Sequence, residues 1–373
     1  MKRVAFCLRD MQLGGVESVL IRTLEQLVQD KKISITVVTY VDISEPTFVE
    51  WFKTHQAVKR IVLYPSKTFG TKMPRFFLWR LIKHFCRDVY RWSRRLFVVK
   101  KLSKFDTLID YHDFGFVREF KKLNTHKKIA WFHSSLNVFE KRKFINYVKY
   151  YDNVVVLTDD CANDLKKKCP RYADKFIRIY NPVDVKNIKE KAYAKSKIIG
   201  DYFCCVARMS YDKDIKTLLD AFDVFWQNNK RVSLVLVGGG DKINVFKNYA
   251  NGLKSSKNIL FVGPQKNPFV YMKHAIANIL SSYGEGLPTV VIESQALGVI
   301  NISSDCKYGP REILIDGRGG LLFNSGNVTE LANAMDAVHN NKVDIVKMVE
   351  LSSSELKRFD KINVVKQIKS LIF

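Results

Sequence analysis

Two glutamates, Glu285 and Glu293, stand with seven residues between them in the segment Ser-Ser-Tyr-Gly-Glu-Gly-Leu-Pro-Thr-Val-Val-Ile-Glu, residues 281–293. Glu285 falls in a loop after the apolar run Ala277–Leu280, and Glu293 follows a turn at Gly286-Leu287-Pro288, at the expected start of a helix. An ionised carboxylate accepts several hydrogen bonds at once, so a loop Glu and a helix Glu suit the hydroxyls of a sugar and of a ribose. The free backbone N–H groups of a helix start add a place for an anion. Taken alone, the same pair also fits two solvated carboxylates. A second candidate is His133 in Trp-Phe-His-Ser-Ser, directly after the apolar run Lys128–Phe132. A lone histidine there is either a structural residue or a ligand contact.

Positioning such residues requires strands that end at them. Val4–Leu8 is followed by Gly14-Gly15 and an amphipathic stretch Glu17–Val28, which reads as strand, glycine turn and helix. Ile33–Tyr40, Arg60–Leu63, Thr107–Asp110, Lys128–Phe132 and Asn153–Leu157 have strand length and composition. After Asn181-Pro182 the rhythm restarts with Phe203–Ala207, a helix over Ile215–Trp226, Val232–Val237, Ile259–Val262, Ala277–Leu280 and Val299–Ser303. Strands alternating with helices predict parallel sheets covered on both faces. The fold class is therefore α/β, with two doubly wound domains and ligands at the carboxyl ends of the strands, in a cleft between the domains.

The 373 residues are 47% apolar and 27% charged, which excludes a disordered chain, a collagen and a small disulfide scaffold. The formal net charge is +25, and residues 1–182 hold 36 basic against 18 acidic residues. That excess favours an anionic partner. It concentrates in residues 71–104, with 11 basic residues and one acid, Asp88. On a helical wheel Leu78, Ile82, Phe85, Val89, Trp92 and Leu96 share one face, and Arg80, Lys83, Arg87, Arg91 and Arg94 the other. With Trp79 and Trp92 as anchors, this helix either packs on its own domain with a solvated basic face or lies on an anionic membrane surface or a lipid-linked pyrophosphate. The segment has no helix-turn-helix, zinc-finger or RNA-recognition signature, so no nucleic-acid partner is expected. Seven scattered cysteines without a Cys-x-x-Cys pair read as buried small side chains in a reducing cytosol. Arg9 and Asp10 interrupt any signal-peptide core, and no run reaches a membrane span. The expected location is cytoplasmic and peripheral on the inner membrane face.

Five segments occur here in the order found in retaining family 4 glycosyltransferases of GT-B fold, and the chain resembles that family in its bacterial surface-glycan type. They are Gly14-Gly15-Val16-Glu17, Asn181-Pro182-Val183-Asp184, Phe203–Lys213 with Arg208, Val237-Gly238-Gly239-Gly240 and the Glu285–Glu293 stretch. The resemblance implies that Arg208 and Lys213 grip the diphosphate of a nucleotide-sugar donor. It places Glu285 and His133 against the transferred sugar, with the backbone of Gly286, Leu287 and Pro288 beside it. Glu293 would hold the ribose, Gly14 and Gly15 the phosphates, and Gly263–Asn267 the base. The implied domains are an acceptor and membrane-facing domain over 1–182, a nucleotide-sugar domain over 183–355, and a helix over 356–373 returning to the first.

The resemblance also implies transfer from a UDP-hexose or UDP-N-acetylhexosamine to a glycan acceptor, lipid-linked, in polysaccharide or lipopolysaccharide synthesis. No cofactor or metal is expected, because cations and helix dipoles stabilise the leaving diphosphate. Asp212-Lys213-Asp214 matches Asp-x-Asp only formally. One departure is Asp214, where the family often has Gly after the lysine. The alternatives are a non-catalytic polyanion-binding protein on the same fold and a GT-B enzyme of another reaction.

Overall fold

The structure, a computed structural model, describes residues 1–12, 14–63, 96–123, 127–134, 136–194 and 198–373. Arg80, Lys83, Arg87, Arg91, Arg94, Trp79 and Trp92 lie outside the described residues. The chain divides into two compact units. The first holds Met1–Val156, Ala162–Ile179 and Val365–Phe373, and the second Leu157–Cys161 and Tyr180–Val364.

The first unit is built on a seven-stranded sheet in the order β3-β2-β1-β4-β5-β6-β7. Its strands are β1 (Lys2–Leu8), β2 (Ile33–Thr39), β3 (Lys59–Val62), β4 (Thr107–Asp110), β5 (Lys127–Trp131), β6 (Asn153–Val156) and β7 (Phe176–Arg178). Every pairing is parallel. The reason is in the sequence: Val4–Leu8 and Val154–Val156 are buried on both faces, as strands covered by helices must be. The glycine turn after β1 opens the helix Gly15–Leu27. The last helix, Lys361–Ile372, ends in this unit, where Lys369 pairs with Asp30 at 2.8 Å and Thr107 Oγ1 donates to the Ile372 carbonyl at 3.4 Å.

The second unit carries a six-stranded parallel sheet in the order β10-β9-β8-β11-β12-β13. Its strands are β8 (Tyr202–Val206), β9 (Ser233–Val237), β10 (Ile259–Gly263), β11 (Asn278–Leu280), β12 (Asn301–Ser304) and β13 (Leu321–Phe323). Phe203, Leu218, Leu219, Phe222, Leu234, Leu236 and Ile302 are fully buried in its core, which joins the sheet to the helix Ile215–Trp226.

The strand expectations hold to within a residue or two. The edge strands β7 and β13, three residues each, have no counterpart among them. Glu293 needs a correction. The helix runs Thr289–Ala296, so Glu293 sits in its second turn rather than at its start, and the free N–H groups of the helix start lie a turn away. Each described cysteine is a buried free thiol. Burial pushes Cys205 up to about 12 and Cys306 up to about 11, so both are protonated at neutral pH.

Candidate active site

In the second unit the chemistry-bearing side chains stand beyond the carboxyl ends of β8, β11 and β12. Arg208 and Lys213 lie on the loop after β8 and Glu285 on the loop after β11, two strands that are neighbours in the sheet. Lys213 Nζ donates to Glu285 Oε1 at 2.6 Å, with side chains only 20% and 12% exposed. Ser282 Oγ donates to the same oxygen at 2.6 Å, and Ser281 Oγ to the Lys213 carbonyl at 2.8 Å. The sequence motif assigns neither serine a role. The structure uses them to orient the carboxylate and to hold the lysine loop on β11.

The loops after β11 and β12 are joined in turn. Glu285 N donates to the Lys307 carbonyl, and Tyr308 N to the Glu285 carbonyl, each at 3.1 Å. Gly309 has φ 98°, and a Cβ there would come within 2.6 Å of Pro288. Gly286, Leu287 and Pro288 are thus backed by the Lys307–Gly309 turn, and no larger residue fits at 309.

Arg208 differs from Lys213. Its side chain is 66% exposed, reaching Asp212 Oδ2 at 3.3 Å and Ser210 Oγ at 3.2 Å. Burial opposes ionisation of Asp212, but the Ser210 hydroxyl and the Lys213 and Arg208 cations hold its carboxyl below the usual range. The loop stays in place because Gly238 and Gly240 let the turn after β9 lie against it. A Cβ on Gly238 would be 2.0 Å from the Ala207 carbonyl, and one on Gly240 2.5 Å from that of Met209. Both glycines have positive φ, at 137° and 155°, and Met209 N donates to the Gly239 carbonyl at 2.8 Å.

Asp214 accounts for the departure from the family pattern. It adopts φ 46° and ψ 47°, the left-handed conformation that glycine takes freely. Its carboxylate then accepts from Thr217 N and caps the helix Ile215–Trp226. Asp212 and Asp214 therefore do separate jobs. Among the described residues no group of three His, Cys, Asp or Glu is placed to hold a metal ion.

Glu293 is buried in its helix, which is fixed to the sheet by buried polar links. Asn278 Nδ2 donates to Ser294 Oγ at 2.8 Å, and Asn301 Nδ2 to the Val291 carbonyl at 3.2 Å. Asn267, expected near the base, follows β10, which lies at an edge of the sheet. Its Nδ2 donates to the Lys191 carbonyl at 2.8 Å.

In the first unit His133 lies just past the carboxyl end of β5, as the sequence indicates. Its backbone N donates to Asp113 Oδ1 at 2.7 Å, and Ser134 Oγ donates to the other Asp113 oxygen. Burial, aided by the charge of His112, pushes His133 down to about 3, so it is neutral at pH 7. Its ring lies against Tyr111, centroids 4.7 Å apart. Gly15 has nothing within 4 Å of where a Cβ would be, whereas a Cβ on Gly14 would be 2.8 Å from the Glu17 carboxylate. Asp113, His112 and Glu17 carry no role in the sequence reading.

Two Rossmann-like units with this strand order define a GT-B protein. The whole chain superposes on the crystal structure of Anabaena HepE in complex with UDP, with TM-score 0.78, 16% identity and 99% of each chain covered. Residues 188–353 match the family model described as Glycosyl transferases group 1. Among curated relatives, the chain is 24% identical to the lipopolysaccharide 1,6-galactosyltransferase of Salmonella typhimurium, over 68% of this chain and 69% of the relative. It is 25% identical to the N-acetylgalactosamine-N,N'-diacetylbacillosaminyl-diphospho-undecaprenol 4-alpha-N-acetylgalactosaminyltransferase of Campylobacter jejuni, over 50% of each.

Proposed function

We propose that this protein transfers a hexose or N-acetylhexosamine, with retention, from a UDP-sugar to a glycan acceptor carried on a lipid, in surface polysaccharide or lipopolysaccharide synthesis. The observation that carries this reading is the Lys213–Glu285 pair at neighbouring strand ends, with Arg208 on the same loop. In this reading Arg208 and Lys213 stabilise the charge that develops on the departing diphosphate. Glu285 is held by Lys213 and Ser282 through Oε1, and takes a sugar hydroxyl on Oε2. Glu293 binds the ribose. Neutral His133 gives or takes a hydrogen bond at the transferred sugar without adding charge. The acceptor hydroxyl attacks from the face the diphosphate leaves, and its proton goes to the departing phosphate oxygen.

The named lipid-diphospho acceptor of the Campylobacter relative supports a lipid-linked acceptor here. So do the basic residues Arg80, Lys83, Arg87, Arg91 and Arg94, with Trp79 and Trp92 among them, which in this reading bind anionic lipid on the inner side of the membrane. Among the described residues no helix is long and apolar enough to cross a membrane.

The test is incubation with UDP-, GDP- and ADP-sugars and lipid-linked acceptors, following nucleotide release and the product's anomeric configuration by NMR. UDP release with a retained anomeric centre is expected, and Glu293→Ala should mainly raise the donor KM. An inverted product overturns the stereochemistry. A salt-sensitive polyanion complex with no nucleotide binding favours a non-catalytic protein.

A further inference from the structure

Glu17 is the charged residue that the glycine turn of the first unit buries. It stands in the first turn of the helix Gly15–Leu27, with its side chain 9% exposed. Its Oε1 lies 3.4 Å from His112 Nε2. Its Oε2 occupies the space above Gly14, where a Cβ would be only 2.8 Å away. Glycine at 14 therefore makes room for a carboxylate of the same chain, and that carboxylate is aimed at a histidine two residues past the end of β4.

The geometry points to Glu17 as a positioning residue for glycosyl transfer: its carboxylate, folded over Gly14, fixes the His112 ring past the end of β4 so that His112 donates to a substrate hydroxyl. This rests on the reading above, in which these loops meet the sugar substrates. The surroundings separate the two histidines. Burial works against a charged His112, but Glu17, with Asp113 and Asp10, outweighs it and raises its pKa above the ordinary histidine value. The charge on His112 in turn helps to keep His133 neutral. Arg9 packs close by, with its Nε 3.4 Å from where a Cβ on Gly115 would stand. Two imidazoles whose surroundings push their pKa values apart, His112 up and His133 down, supply one group favoured as a donor and one neutral group, a division of labour suited to a polyol. His112 keeps 22% of its side chain exposed, so part of the ring is open to a ligand.

The sign of the pH effect follows. His112 is protonated below its raised pKa and loses its proton as pH rises through it, so transfer falls on the alkaline side. Removing the Glu17 carboxylate brings that fall to lower pH.

The experiment is histidine-ring NMR titration of the full chain together with pH profiles of kcat and KM, for wild type, Glu17→Gln, Gly14→Ala and His112→Gln. Glu17→Gln should lower the His112 midpoint, move the alkaline limb to lower pH and reduce kcat by about 10- to 100-fold. Gly14→Ala should do the same without changing any charge, because it displaces the carboxylate. His112→Gln should remove the limb and raise the His133 midpoint. An unmoved His112 midpoint in Glu17→Gln overturns the pair. A moved midpoint with kcat and the limb unchanged overturns the role in transfer. Absence of transfer by the wild type overturns the activity itself, and the titration still decides whether Glu17 controls His112.

Discussion

Arg208→Ala is expected to reduce transfer by about 10²- to 10³-fold, the cost of removing one donor aimed at developing negative charge. Its thermal midpoint should stay near that of the wild type. The second half of this expectation comes from exposure: the guanidinium is 66% exposed and its carboxylate partner, Asp212, is 50% exposed. Ion pairs of that kind contribute about 0–1 kcal/mol, so their loss leaves the fold intact. What remains is a chemical defect, visible in kcat and in the affinity for the diphosphate. A variant that melts far below the wild type, or one that transfers normally, would show that Arg208 braces the loop and nothing more. The same test applied to Asp212 should be mild, because that carboxylate is half exposed and its ion pair with the arginine is a surface one.

Lys213 and Glu285 should respond differently. Their pair is mostly removed from water, and its loss leaves a nearly buried charge without its partner. Glu285→Gln or Lys213→Met is therefore expected to destabilise by about 3–5 kcal/mol, besides abolishing most transfer. The double variant Lys213→Met/Glu285→Gln should be less destabilised than the two single changes added together, since the second change removes the charge that the first one strands. Its activity should stay as low as that of the worse single variant. Denaturation followed alongside activity separates the two effects. Additive destabilisation in the double variant would mean that the two side chains do not act as a pair. The contrast with Arg208 is itself informative: two cations on one loop, one costing activity alone and one costing activity and stability.

Much of this arrangement was legible in the residues. The central strand β8 is an unbroken apolar run and β11 ends the mostly apolar stretch Ala275–Leu280, so both are legible, and the loops carrying Arg208, Lys213 and Glu285 follow from them. Two of the four edge strands, Phe176–Arg178 and Leu321–Phe323, are not, as each is three residues long with no longer apolar run leading into it. Glu293 was misplaced by a turn for a related reason. The helix Thr289–Ala296 mixes polar and apolar residues and is buried almost all round, so neither periodicity nor a side-chain cap marks where it begins. Asp214 departs from the family pattern after the lysine, yet Asp-Ile-Lys-Thr is also a helix-cap pattern. The links from Ser282 to Glu285, from Asp113 to His133 and from Glu17 to His112 leave no pattern in the chain. They join residues 3, 20 and 95 positions apart, and only folding brings the last two together.

The central claim is that the second unit holds a nucleotide diphosphate through Arg208 and Lys213. Calorimetric titration of the full-length chain with UDP tests it most directly, since it needs neither the right sugar nor the acceptor. Saturable one-to-one binding is predicted for the wild type, with affinity weakened at least about tenfold in Arg208→Ala, the loss of a charge-assisted contact. No binding of UDP by the wild type, or equal affinity in the two proteins, would contradict it.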